Sequence, residues 1–242
     1  MAELSHLSTD DQRLFISQGC GPDSTIPFRT VHAAFLHHAD QYPQTLAVYD
    51  LTSSPITEVA YADLRQYARF IAVWLQKHGI RRNSRVTLVA KRGMAMVAGI
   101  LGILMCGAQY IPLDGSVAPD QTLKRVISQS ETNIVLCLRA FKTRIEDLEA
   151  FPIVLEDLIR EAQTQWSDID FMECPNHGDE NSGCYVLYTS GISQVLYELC
   201  IEMLTLHNIR NYRYPKRGRR NTQKCDKFYM LGTWKSWYAS WL

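Results

Sequence analysis

The stretch Cys184-Tyr-Val-Leu-Tyr-Thr-Ser-Gly191 reads as a short buried strand running straight into a turn. Tyr185, Val186, Leu187 and Tyr188 favour the extended state, because branched and aromatic side chains pack well on a pleated surface. Thr189, Ser190 and Gly191 then supply two hydroxyls and a permissive backbone. A strand that stops at a Gly/Ser/Thr turn can aim its N–H groups at an anion, so this is how a phosphate-binding loop begins. The residues that follow, Ile192, Ser193 and Gln194, do not continue such a loop.

Upstream of this stretch, strands and helices alternate. Helical spacing of Val31, Ala34, Phe35, His38 and Ala39 predicts a helix that ends before Pro43. Leu46–Tyr49 reads as a strand and Thr52–Pro55 as a turn. Leu64, Tyr67, Ala68, Ile71, Ala72 and Leu75 form an apolar helical face, stopped by Gly79. Arg85–Ala90 lacks polar alternation, as expected of a parallel strand covered on both faces. Met94–Cys106 reads as an apolar helix, Gly107 as its positive-φ stop, and Gln109–Pro112 as a strand. Pro119 opens a helix whose inner face is Leu123, Val126 and Ile127. Asn133–Leu138 and Ile153–Leu155 read as strands, the second followed by a helix to about Gln165; residues 166–183 read as a loop. Residues 1–27 form a polar lead-in. Alternating units of this kind predict an α/β fold with a mainly parallel sheet and helices on both faces.

Composition narrows the class. With 242 residues, 46% hydrophobic and 21% charged, the chain can bury a sizeable core. Seven scattered cysteines without a C-x-x-C pair favour a reducing, cytoplasmic setting over a disulfide framework. The seven histidines show no ligand spacing, and Cys174 with His177 lacks a second pair, so no metal site is expected. Gly93–Leu113 is uncharged and long enough to span a bilayer. Its four glycines, Gln109 and Pro112 divide it instead into a buried helix and a buried strand, so no membrane partner is expected.

Charge divides the chain. Residues 1–191 carry 16 Lys+Arg against 22 Asp+Glu, a net of −6; residues 192–242 carry 9 against 3, a net of +6. Residues 195–209, with Val195, Leu196, Leu199, Ile201, Met203, Leu204 and Leu206, read as one amphipathic helix. Beyond it lie basic residues from Arg210 to Lys227 interleaved with Tyr212 and Tyr214, then Trp234, Trp237 and Trp241. Basic residues with aromatics can bind RNA or an acidic surface. The competing reading is that the tail replaces the preceding pattern abruptly, as a shifted frame, a retained intron or a misplaced gene boundary would; nucleic acid is the weaker of the two.

Several motifs in this order resemble the N-terminal part of adenylate-forming enzymes, specifically the adenylation domains of fungal nonribosomal peptide synthetases. Leu7–Gln12 and Val31–Phe35 look like that family's entry segment. Val59-Ala-Tyr-Ala-Asp-Leu64 resembles its Thr-Tyr-x-Glu-Leu motif. Gly99–Asp114, ending Gly-Ala-Gln-Tyr-Ile-Pro-Leu-Asp, resembles its Gly-x-x-Tyr-Val-Pro-Leu-Asp segment. Tyr185–Gly191 resembles the start of its phosphate loop, whose later Gly, Pro and Lys this chain lacks.

The resemblance implies an incomplete large N-terminal domain over residues 28–191, after the 1–27 lead-in and before a 192–242 tail outside the resemblance. In the family, ATP with Mg²⁺ activates a carboxylate as an acyl-adenylate, which passes to the phosphopantetheine of a carrier domain. For this chain it implies a truncated AMP-dependent ligase-type adenylation domain, inactive alone, with no catalytic residue of its own and no tightly held cofactor. Thr189, Ser190 and Gly191 are the candidate ATP-phosphate residues; Tyr61 and Asp114 are expected to pack and to make a turn. The alternative is a noncatalytic binding protein that uses the basic tail.

Overall fold

The structure is a computed structural model, and it describes residues 8–18, 28–165, 178–179, 181–190 and 196–202. Two small elements open it. Helix α1 (Thr9–Gln18) lies within the segment expected to be a lead-in. Its start is a reciprocal cap: Asp11 N–H donates to Ser8 Oγ, and the Ser8 hydroxyl donates to the Asp11 carboxylate. Helix α2 (Val31–Gln41) starts at Thr30, whose Oγ1 accepts from Ala33 N–H, and stops before Pro43.

Strands β1 (Leu46–Asp50) and β2 (Thr57–Ala60) pair antiparallel as a separate two-stranded sheet. Val48 and Val59 face each other and bury against helix α3 (Tyr61–Lys77). All six residues of the expected α3 face are buried: Leu64, Tyr67, Ala68, Ile71, Ala72 and Leu75. Tyr61 sits at the start of α3 against the rings of Phe35 and His38, a packing role as expected.

The main sheet comprises β3 (Arg85–Val89), β4 (Gln109–Leu113), β5 (Ile134–Cys137), β6 (Phe151–Val154), β7 (Gly183–Ser190) and β8 (Leu196–Glu202). The spatial order is β6-β5-β3-β4-β7-β8; the first five run parallel and β8 antiparallel. Helices α4 (Met94–Met105) and α7 (Leu155–Gln165) join α3 on one face, over Val86, Leu88 and Leu136. Helices α5 (Asp120–Gln129) and α6 (Lys142–Glu146) cover the other face, over Val89, Val135 and Cys137. Successive strand residues thus point to opposite helical layers, which is why these strands read as nearly continuous apolar runs.

The apolar run from Gly93 to Leu113 divides as its glycines require. Gly107 (φ +77°) ends α4: its N–H donates to Leu104 O at 3.0 Å, and Ala108 N–H donates to Ile103 O at 3.1 Å. Among the described residues no helix is long and apolar enough to cross a membrane.

Between β5 and β6 a short 3₁₀ turn (Arg139–Phe141) leads into α6, anchored by buried Phe141 and Ile145. Besides α1 within the expected lead-in, two expectations need correction. The strand expected to end at Tyr188 continues to Ser190. Leu196–Glu202, read as part of an amphipathic helix, is instead β8, paired with β7 from Gly183↔Glu202 to Ser190↔Leu196. Leu-Tyr-Glu-Leu-Cys-Ile-Glu fits a strand period as readily as a helical one, and a waiting edge partner decides between them.

Candidate functional site

Because β3, β4, β5 and β7 are parallel, their carboxyl ends share one edge of the sheet. That edge carries residues 90–93, 114–119, 138–141 and the end of β7 at Thr189 and Ser190. β4 and β5 flank β3 on opposite sides, and the chain leaves β3 toward one helical layer and β5 toward the other. In open α/β sheets ligands settle at the carboxyl ends of strands near such a reversal.

At three of these exits the chain's own carboxylates already hold the exposed backbone N–H groups. After β3, Asp50 reaches over from the end of β1 to the start of α4. Its Oδ2 accepts from Met94 N–H at 2.7 Å, and its Oδ1 accepts from the Thr52 N–H at 2.9 Å and hydroxyl at 2.6 Å. The residue before α4 is Gly93, which has no capping side chain; a Cβ there would stand 2.9 Å from Asp50 Oδ2. Burial works against the charged Asp50, but the hydrogen bonds from Met94, Thr52 and Ser53 outweigh it and hold its carboxyl below the ordinary carboxylate value.

After β4, Asp114 makes a turn as expected: Oδ1 accepts from Ser116 N–H at 2.8 Å and from the Ser116 hydroxyl at 2.5 Å. Hydrogen bonds from Ser116, then the charges of Lys91 and Arg92, keep this exposed carboxyl below its ordinary value. Lys91 and Arg92 are exposed residues of the β3 exit. After β5, Arg139 N–H donates to the Glu156 carboxylate, with oxygens at 3.0 and 3.1 Å, and the Arg139 guanidinium pairs with Asp157.

The β7 exit is different. Tyr110 pairs with Tyr185, and Leu113 and Tyr188 pack on one apolar cluster, so Thr189 and Ser190 carry β7 past the end of β4. Thr189 and Ser190 are the last two residues of the β7–β8 ladder, opposite Tyr197 and Leu196. Gly191 and the residues that follow it to Val195 lie outside the described residues. The sequence between Cys184 and Leu196 contains no Asp or Glu. Of the three candidate phosphate residues, the structure places Thr189 and Ser190 at the carboxyl end of β7, the strand next to β4. Cys174 and His177 lie outside the described residues, and among the described residues no three His, Cys, Asp or Glu groups are gathered to hold a metal ion. The described residues offer no carboxylate cage for Mg²⁺.

The opposite end of β7 is fixed firmly. Gly183 N–H donates to Asn83 Oδ1 at 3.1 Å, and Asp179 bonds Arg82 at 2.5 Å, Asn181 N–H at 2.9 Å and the Ser182 hydroxyl at 3.0 Å. Gly183 lies so close to buried Gln109 that a Cβ would stand 2.2 Å from Gln109 Nε2. Sequence reading missed Asp50 and Glu156, because each acts on backbone far away in the chain. The one local signal was a glycine, not a capping residue, before α4.

Comparison with known proteins agrees with this geometry. The AMP-binding enzyme family matches residues 35–192. An adenylate-forming reductase of Coprinopsis cinerea is 36% identical over 191 residues, 78% of this chain and 18% of the relative. Syringomycin synthase SyrB1 of Pseudomonas syringae is 28% identical, over 68% of this chain and 25% of the relative. The chain thus spans about a fifth of the length of the reductase it matches. In fold it is similar to a fatty acyl-adenylate ligase of Legionella pneumophila, with a TM-score of 0.61 at 21% identity, over 73% of this chain and 31% of that one. The chain, through the segment from α2 to the β7 exit with its parallel sheet, belongs to the AMP-binding, adenylate-forming enzyme family.

Proposed function

We propose that this chain is the N-terminal part of an adenylation module related to ATP-dependent carboxylate activation in nonribosomal peptide synthesis, and that it does not complete that reaction alone. The observation that carries the reading is the β7 exit: a strand within the family match ends in Thr189 and Ser190 at the carboxyl edge of the parallel sheet, and Gly191 follows in sequence. Bound ATP would supply an electrophilic α-phosphorus for a substrate carboxylate. The residues of this chain would hold its phosphates through the Gly191 turn, the Thr189 and Ser190 hydroxyls, and the field of Lys91 and Arg92. Ile192, Ser193 and Gln194 then bring neither a second glycine nor a cation. A few N–H groups and distant exposed cations give weak, millimolar binding rather than a tight site. In the intact relatives a carrier-domain thiol takes the acyl group; here that partner is part of the proposal.

The test is an NMR titration of the ¹⁵N-labelled chain with Mg-ATP. Shifts centred on residues 189–191 that saturate only at millimolar nucleotide support the reading. Shifts elsewhere, or none, refute it.

A further inference from the structure

We propose that Arg144 is a positioning residue that sets the 114–119 loop beside the β7 exit and so shapes one wall of the phosphate edge, an inference that rests on the reading of that edge given above. Arg144 sits in α6, the element that follows β5, yet its guanidinium spends every arm on the exit of β4. Nη1 donates to Gly115 O at 2.6 Å, Nη2 to Ala118 O at 2.5 Å, and Nε to Asp120 Oδ1 at 2.5 Å. The three acceptors span the loop from its second residue to the start of α5. Its charge partner Asp120 is largely exposed, whereas the Arg144 side chain is 31% exposed.

The loop is held from the same side a second time. Gly115 is buried on the ring of Phe141, so closely that a Cβ would stand 2.6 Å from the ring carbons. The loop's own turn, with Val117 and Ala118 N–H donating to Asp114 O at 3.1 and 2.9 Å, fixes its shape. Phe141 and Arg144 fix where that shape sits. What it places is Asp114, at the exit of β4, the strand next to β7. A planar fork with three directed donors does this; a lysine, as a single point charge, can satisfy only part of it.

The experiment is amide hydrogen exchange on the full chain, comparing wild type, R144K and R144Q, with and without millimolar Mg-ATP. Hydrogen bonds from a charged donor are strong enough that Val117 and Ala118 should exchange about tenfold faster in R144Q. R144K should fall between, and amides of α4 should not change. Mg-ATP should slow exchange across 115–118 in wild type and not in R144Q. Unchanged protection of Val117 and Ala118 in R144Q overturns the clamp. An equal response to Mg-ATP in wild type and R144Q overturns the positioning role while leaving the nucleotide reading standing. No response in wild type overturns the nucleotide reading, and the role of Arg144 in it falls as well.

Discussion

Gly102 sets how closely α3 and α4 approach, and Gly102→Ala sets two known effects against each other. In an isolated helix the change stabilises by about 1 kcal/mol, because alanine restricts the unfolded chain and suits the helix. Here the new Cβ would stand 2.6 Å from Ile71 Cγ2, 2.7 Å from Ile71 Cβ and 2.9 Å from Ala68 O. Neither neighbour can yield cheaply. Ile71 is fully buried and β-branched, so it lacks an alternative rotamer; Ala68 O is backbone inside α3. The helices must separate by several tenths of an ångström, and α4 then loses contact with the sheet beneath it. Overpacking of this kind costs about 2–3 kcal/mol, so the net expected loss is about 1–2 kcal/mol after the propensity gain. Thermal unfolding followed by circular dichroism should show Tm lowered by about 3–6 °C for a chain of this size. Ile71→Ala in the same molecule removes the closest contact, so the pair should couple by about 1 kcal/mol in a double-mutant cycle. A Gly102→Ala variant as stable as wild type, or strict additivity with Ile71→Ala, would refute the close-approach argument.

Asp50→Asn should lower stability by about 1 kcal/mol near neutral pH, since it removes a charge-assisted cap from a helix that has no other. The Asp50 carboxyl titrates below its ordinary 3.8 in the folded protein, so its stabilisation is complete above that value and disappears as pH falls through the folded pKa. The Tm difference between wild type and Asp50→Asn should therefore shrink as pH is lowered from about 5, and a difference that persists or grows would contradict the cap. Gly183→Ala should loosen β7 from β4 and cost about 1–3 kcal/mol in urea unfolding, because the Cβ displaces buried Gln109. Combining it with Gln109→Ala should recover part of that loss; no recovery would place the strain elsewhere.

The order of strands and helices was legible because it rests on local periods and stops. The α3 face and the α5 face (Leu123, Val126, Ile127) are buried as their spacing requires, and Gly107 takes the positive φ expected of it. The β7 strand was legible too, although Thr189 and Ser190, expected to turn, continue its ladder. What stayed hidden depends on partners remote in sequence. Asp50 caps a helix 44 residues later, Arg144 grips a loop 26 to 29 residues earlier, and β8 becomes a strand because β7 offers it an edge. Helix α1 was different: Ser8 and Asp11 at capping-box spacing were readable, but the glycines and prolines that follow masked the signal.

ATP–pyrophosphate exchange by the purified chain, across a panel of amino acids and other carboxylic acids with Mg²⁺ present, is the most direct measurement. If the chain begins the phosphate site without completing the adenylating centre, no substrate raises exchange above background. Substrate-dependent exchange, abolished by replacing Thr189 and Ser190, would show a complete catalytic site and contradict that claim.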